Sequence, residues 1–325
     1  MGFELKKYTA PDFTKEPFVS APDAVLAPAP KDRTAPENYH ATTIFPEYFK
    51  VNGTWLLAEE SRMDCVAVYE NGKIAVREFR TLKQGDLVFV GRTEEAEEGI
   101  FVWTHGFEEP GTQSKEAFSF RQGRSRETAF SKDYDHIYDL LKHEKDHGYV
   151  VWVMGPACAF DSDSREAFSK LVMNGYVDAL LAGNALATHD LEGAYRKTAL
   201  GQDIYTQESF PGGHYNHIDT INRVRYHGSI PEFMEKEHID NGIMYSCVKK
   251  GVPFVLTGSI RDDGPLPEVY ADVYEGQSSM RECVKKATTV ICMATTLHSI
   301  ATGNMTPSFR VMPDGTIRQI YFYSV

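Results

Sequence analysis

The chain has 325 residues, enough to bury a sizeable core in one large domain or two modest ones. A net charge of −12 gives no basic face for a phosphate backbone and argues against a nucleic-acid partner, while 25% charged and 42% hydrophobic residues are ordinary for a globular chain. None of the five cysteines sits in a CxxC pair, and Cys158 and Cys292 lie in apolar runs, so reduced, buried thiols and a cytoplasmic location are expected. Residues 1–20 lack a signal-peptide core and no apolar run reaches membrane-spanning length, so no membrane partner is expected.

Residues 1–38 carry six prolines and little periodicity, which predicts an extended or partly disordered leader that proteases would trim. From Tyr39 the pattern turns to short strands. Cys65–Tyr69 and Ile74–Phe79 flank Asn71-Gly72, a hairpin turn in which both central residues need positive φ. DLVFVG (86–91) and GIFVWT (99–104) add two strands, and a helix is expected from Asp133 to about Lys145. The division expected is therefore a leader at 1–38, a β-rich domain with its linking helix at 39–147, and an α/β domain at 148–325.

From Gly148 strands alternate with helices. Tyr149–Met154, Val177–Leu181, Val252–Leu256 and Thr289–Met293 read as buried strands, with helices at Ser164–Met173 and Asp272–Lys286. That alternation predicts an α/β fold, a parallel sheet with helices on both faces, preceded by a small β-rich domain. Each strand opens into a polar turn, and ligand clefts in such sheets lie beyond the carboxyl ends of the strands. Gly155-Pro156-Ala157 after the first strand cannot supply GxGxxG, so an ordinary dinucleotide phosphate turn is ruled out there.

Other candidates come from the remaining strand ends. Helix starts after Asn184 and Thr295 could seat an anion or be plain caps and turns. Asp262, in GSIRDDGPLP, could accept from ribose hydroxyls or belong to a solvated acidic turn. In ALATHD, His189 and Asp190 suit proton transfer to or from an amine, whereas Thr188 or Asp190 as a helix cap is the bland alternative. His214, His217 and Asp219 form HxxHxD, but Asp219 would point away from the two imidazoles on a helix, so no metal is expected. His217 remains a candidate acid or base. Arg121, Arg124 and Arg126 could recognise a carboxylate or simply join two domains through salt bridges.

The segments ENYHATTIFPEYFKVNG, EESRMDC, GRSRE, LLAGNALATHDLEGAY, LGQDIYTQE, GHYNHIDTINRVR, GSIRDDGPLP and ATTLHSIATGNMTPS resemble the archaeal-type ornithine cyclodeaminases. That family also forms the C-terminal part of arginine dihydrolase/ornithine cyclodeaminase fusions and is related to the LOR/SDH conserved region. The resemblance runs from about Glu37 to the end of the sequence. It implies a deoxyhypusine-synthase-like NAD-binding fold, with NAD contacting Asn184, Ala185, Asp262, Thr295, Thr296, Leu297 and His298. It implies conversion of L-ornithine to L-proline and ammonia by transient oxidation at Cα, cyclisation and re-reduction. His189, Asp190 and His217 are then the expected catalytic residues, Arg124 and Arg126 the expected substrate contacts, and a homo-oligomer the expected assembly. Family members continue past the segment matching Ile317–Val325 into a DRGS motif, which is not in this sequence, and no guanidine-hydrolysing domain is expected. A non-catalytic NAD-binding or regulatory module, and a lysine- or saccharopine-type oxidoreductase, stay open as alternatives.

Overall fold

A computed structural model describes residues 3–107, 131–262 and 264–325. The chain divides into two compact units, one built from Met1–Ile137 with Gly303–Ile320 and the other from Tyr138–Thr302 with Tyr321–Val325.

The first unit carries strands β1 (Val25–Pro28), β2 (Glu47–Val51), β3 (Thr54–Leu57), β4 (Val66–Glu70), β5 (Lys73–Arg77), β6 (Leu87–Val90) and β7 (Ile100–Val102). They form a four-stranded sheet ordered β1-β6-β4-β5 and a three-stranded sheet ordered β3-β2-β7. The β4–β5 hairpin closes as expected, with Asn71 at φ 51° and Gly72 at φ 78°. A second Asn-Gly turn, Asn52-Gly53, closes β2 on β3 in the same way and has no counterpart in the expected strands. Both sheets feed one core: Phe49 and Ile100 come from one, and Ala67, Ile74 and Phe89 from the other. The Phe49 and Phe89 rings lie 4.5 Å apart, both fully buried. Each contributes about 1.5–3 kcal/mol through its burial.

The leader is not a loose arm. Val25–Pro28 pairs antiparallel with Leu87–Val90 as an edge strand. Phe13 stacks on Trp55 at 5.3 Å, and Phe18 meets Phe101 edge-on at 4.7 Å. The carbonyls of Phe18, Val19 and Ala21 accept from Lys50 Nζ at 3.0, 3.2 and 2.7 Å. Pro28 ends the edge strand, the part of a sheet that tolerates a missing amide, and the leader's aromatics supply the apolar contact that composition alone hid.

After α1 (Ser131–His147), the second unit runs β8 (Val150–Met154), α2 (Ser162–Met173), β9 (Ala179–Gly183), α3 (Asn184–Arg196), β10 (Thr198–Ala199), β11 (Gln202–Asp203), α4 (Asn216–His227), α5 (Ile230–Lys236), α6 (Ile243–Lys250), β12 (Phe254–Thr257), β13 (Val269–Tyr270), α7 (Val273–Val284), β14 (Thr289–Met293) and α8 (Leu297–Met305). The short antiparallel pair β15 (Phe309–Val311) and β16 (Ile317–Gln319) belongs to the first unit, and β17 (Tyr321–Ser324) returns to the second. The expected division at 148 therefore misses the exchange of residues 303–320.

Six strands form a parallel sheet ordered β13-β12-β9-β8-β14-β17. The chain starts at β8, winds outward through β9, β12 and β13, then crosses back to the other side of β8. This is a Rossmann-type reversal, with its switch point between β8 and β14. Every residue of β8 is buried, so both faces of the strand are covered. No described helix is long and apolar enough to cross a membrane.

Candidate active site

The turn after β8 does not take the form of a glycine-rich phosphate loop. Pro156–Ala159 after β8 forms a 3-10 turn, and Gly155 packs so close to β14 that a Cβ there would lie 1.8 Å from the Ala294 carbonyl oxygen. Ala294 itself sits at φ 57°, a left-handed conformation uncommon for alanine. The ends of β8 and β14 are thus joined backbone to backbone, and the polar groups gather over β9 and β12.

Asn184 opens α3 directly after Gly183 and is buried. Its Nδ2 donates to Asp262 Oδ1 at 3.2 Å, and its Oδ1 accepts from the Leu266 amide at 3.1 Å. Asp262 Oδ2 accepts from the Ser259 amide at 2.8 Å. His298, in the first turn of α8, brings Nε2 to 3.3 Å from Thr257 Oγ1. Its ring lies against Gly183, where a Cβ would meet His298 Cε1 at 3.1 Å. Burial pushes the His298 imidazole below its ordinary range, so its neutral form is favoured. Asn184, Asp262 and His298, far apart in the chain, are thereby tied to the ends of β9 and β12. Ala185 is the next residue of α3, Thr295 and Thr296 form the turn after β14, and exposed Leu297 begins α8.

His189 and Asp190 go to different environments. Asp190 is fully buried; Arg165 Nε donates to its Oδ1 at 2.9 Å, and the Ile243 and Met244 amides at the start of α6 donate at 2.9 and 2.8 Å. Those amides are among the unpaired donors of a helix N-terminus, and a carboxylate there also favours the helix dipole. Only glycine fits beside the pair: Gly242 has φ 106°, and a Cβ would lie 2.5 Å from Arg165 Nη2. The Asp190 oxygens are committed to holding α2, α3 and α6 together.

His189 turns instead to Glu192, whose Oε2 lies 3.0 Å from Nδ1. The ring stands 5.4 Å from Phe160, after β8, and 6.2 Å from His217 on α4. His217 Nδ1 is buried without a hydrogen-bond partner. The exposed His214 lies against Tyr215, the ring centroids 4.3 Å apart and the planes tilted by 37°. Arg121, Arg124 and Arg126 lie outside the described residues. Among those described, no three His, Cys, Asp or Glu side chains are grouped to hold a metal. The five cysteines are buried and form no disulfide, and burial raises the Cys247 thiol to about 12 and the Cys292 thiol to about 11, as for inert packing thiols.

The family described as "Arginine dihydrolase ArgZ-like, C-terminal, Rossmann fold" matches residues 136–312. The ornithine cyclodeaminase of Methanopyrus kandleri is 39% identical over 310 residues, covering 94% of this chain and 71% of that protein. The chain belongs to the ornithine cyclodeaminase family. A solved structure of a conserved putative LOR/SDH protein from Methanococcus maripaludis aligns with TM-score 0.81 at 35% identity, over 93% of this chain and 87% of the other. AgrE, a bifunctional arginine dihydrolase/ornithine cyclodeaminase of Nostoc sp., was solved as a ternary complex with ornithine and NAD+; it aligns with TM-score 0.53 at 34% identity, covering 89% of this chain and 40% of AgrE.

Within this ornithine cyclodeaminase family member, sequence reasoning missed Glu192, Arg165, Thr198 and Phe160. A signal existed for Glu192, because residues three apart share a helix face whereas adjacent residues do not. Nothing local marked Arg165, which is 25 residues from Asp190.

Proposed function

We propose that the chain is an NAD-dependent ornithine cyclodeaminase converting L-ornithine to L-proline and ammonia. The observation that carries this is the Asn184–Asp262 pair fixed over the ends of β9 and β12, in a family whose member AgrE was solved with ornithine and NAD+. The residues present fit the cofactor chemically. Asp262 accepts two hydrogen bonds within the protein, and a carboxylate offers about four acceptor sites, which leaves capacity for ribose hydroxyls. The bare backbone at Gly183 lets His298 close against the strand end.

Asn184, Ala185, Asp262, Thr295, Thr296, Leu297 and His298 would hold NAD, which supplies oxidation at Cα and its later reversal, so the net reaction is redox-neutral. The chain's own task is to manage protons on the two substrate amines. The δ-amine must be neutral to attack the Cα imine carbon; the new Nδ–Cα bond forms, the Cα–Nα bond breaks, and ammonia leaves. His189 holds its Nε2 ready for that proton, with His217 across the gap. Arg124 and Arg126 are proposed to receive the substrate carboxylate. The assembly is proposed to be homo-oligomeric and cytoplasmic.

The test is to incubate the protein with NAD and L-ornithine and assay proline and ammonia. Stoichiometric formation of both is expected. Bound NAD without proline would favour a binding or regulatory module, and turnover of lysine or saccharopine alone would favour the oxidoreductase alternative.

A further inference from the structure

We infer that Glu192 is a positioning residue that sets His189 and His217 across one gap, with His189 Nε2 presented to an amine-bearing substrate. The chemical role rests on the cyclodeaminase reading; the positioning rests on geometry alone.

Glu192 has no exposed surface, and three donors and the His189 imidazole converge on it. Oε1 accepts from Thr198 Oγ1 at 2.7 Å and from the Gly201 amide at 3.2 Å. Oε2 lies 3.2 Å from the Leu200 amide and 3.0 Å from His189 Nδ1. Two backbone amides and a hydroxyl aimed at these oxygens favour the ionised carboxylate over a carboxyl that would donate to Nδ1, so the fourth bond comes from Nδ1–H. That choice makes Nε2 the lone-pair edge of the ring. Nε2 has no hydrogen-bond partner among the described residues.

Through Thr198 the same carboxylate reaches the start of α4, which carries His217. Because the Thr198 hydroxyl donates to Glu192, its oxygen is left to accept, and Asn216 Nδ2 donates to it at 2.9 Å. Asn216 is the first residue of α4, and His217 follows it. The chain Asn216, Thr198, Glu192, His189 therefore anchors the His189 ring, which lies beside Phe160, and the first residue of α4, next to which His217 sets its ring centroid 6.2 Å from that of His189. His217 Nδ1, buried without a partner, adds a second site for an ammonium proton at the same gap. A buried carboxylate that holds an imidazole tautomer acts through the imidazole without meeting the substrate.

The test uses the full chain labelled with 15N-histidine. In the wild type, His189 should carry its proton on Nδ1 with Nε2 unprotonated; a protonated Nε2 beside a bare Nδ1 overturns the inference. Glu192→Gln should mix the two tautomers and lower kcat about 10²-fold, within the range a positioned general base supplies, with KM and NAD affinity changed far less. Thr198→Val should leave the His189 tautomer intact and shift only the His217 resonances, with a smaller loss in kcat. If Glu192→Gln leaves the His189 tautomer unchanged, Glu192 is a structural anchor and the inference fails, whatever the activity does. If the tautomer shifts as stated but the wild type makes no proline, the positioning stands and the cyclodeaminase reading falls.

Discussion

The two sides of α3 use the same chemistry for opposite ends. Toward α2 and α6, the fully buried Asp190 is held by a guanidinium and two helix amides, partners that end in the packing and present no free edge to a ligand. Toward β10 and α4, the oxygens of Glu192 meet four partners, and one of them is an imidazole whose far nitrogen has no hydrogen-bond partner among the described residues. Both carboxylates are fully buried. The lesson is that burial and charge do not mark a functional acid; what matters is whether its partner has a second, unused edge.

Mutations on the two sides should separate cleanly. The largest effect is expected from Asp190→Ala, which strands Arg165 as a buried charge and unpairs the start of α6. A loss of about 3–5 kcal/mol in stability follows from breaking one partner of a buried pair, read as a fall in the denaturant midpoint; an unchanged midpoint would show that Arg165 finds another partner. On the other side, His189→Asn should reduce turnover roughly 10²–10⁴-fold while the midpoint and NAD affinity barely move. Turnover that survives, with only the melting temperature lowered, would make both sides of the helix structural and move the search to His217.

The N-terminal end of α3 sharpens the contrast. Asp262→Ala should weaken NAD binding by about 1–3 kcal/mol, the cost of leaving buried partners unpaired, as measured by calorimetry, and equal affinity would remove Asp262 from the cofactor site. The smallest effect should come from His298. Burial keeps it neutral in the folded state below its ordinary value of 6.5, where the unfolded chain already binds a proton. The unfolded state therefore holds more protons in that window, so stability is lost as pH falls below about 6.5. His298→Asn should flatten this acid limb of melting temperature against pH, and an identical limb in the variant would assign the titration elsewhere.

Much of the fold was legible because it depends on local rules. The apolar runs at β8, β9, β12 and β14 and the Asn71-Gly72 turn are readable from a few adjacent residues. The Asn52-Gly53 hairpin obeys the same rule and was equally available. The packing of the leader is not legible from its prolines, because Phe13 and Phe18 find their partners only after the chain returns. Residues 303–320 leave the second unit for a reason no local pattern carries. At the site, the strand-end residues were readable from the grammar of parallel sheets, but His189 was paired with its neighbour Asp190 although adjacent helical residues diverge by about 100°. Glu192, three positions on, was the readable partner. Arg165 was not readable, since its pairing exists only once α2 packs beside α3.

The Lys50 ammonium and its three carbonyl acceptors have a practical consequence for anyone reshaping this protein. A shortened gene product beginning at residue 39 looks harmless on composition, yet it would remove every one of those acceptors from a side chain that is only 8% exposed. The amine would then have to find water inside the sheet packing or drag its strand outward. Tags, fusions and minimal versions should respect residue 18 as the interior of the first unit, however much the sequence around it looks like packaging.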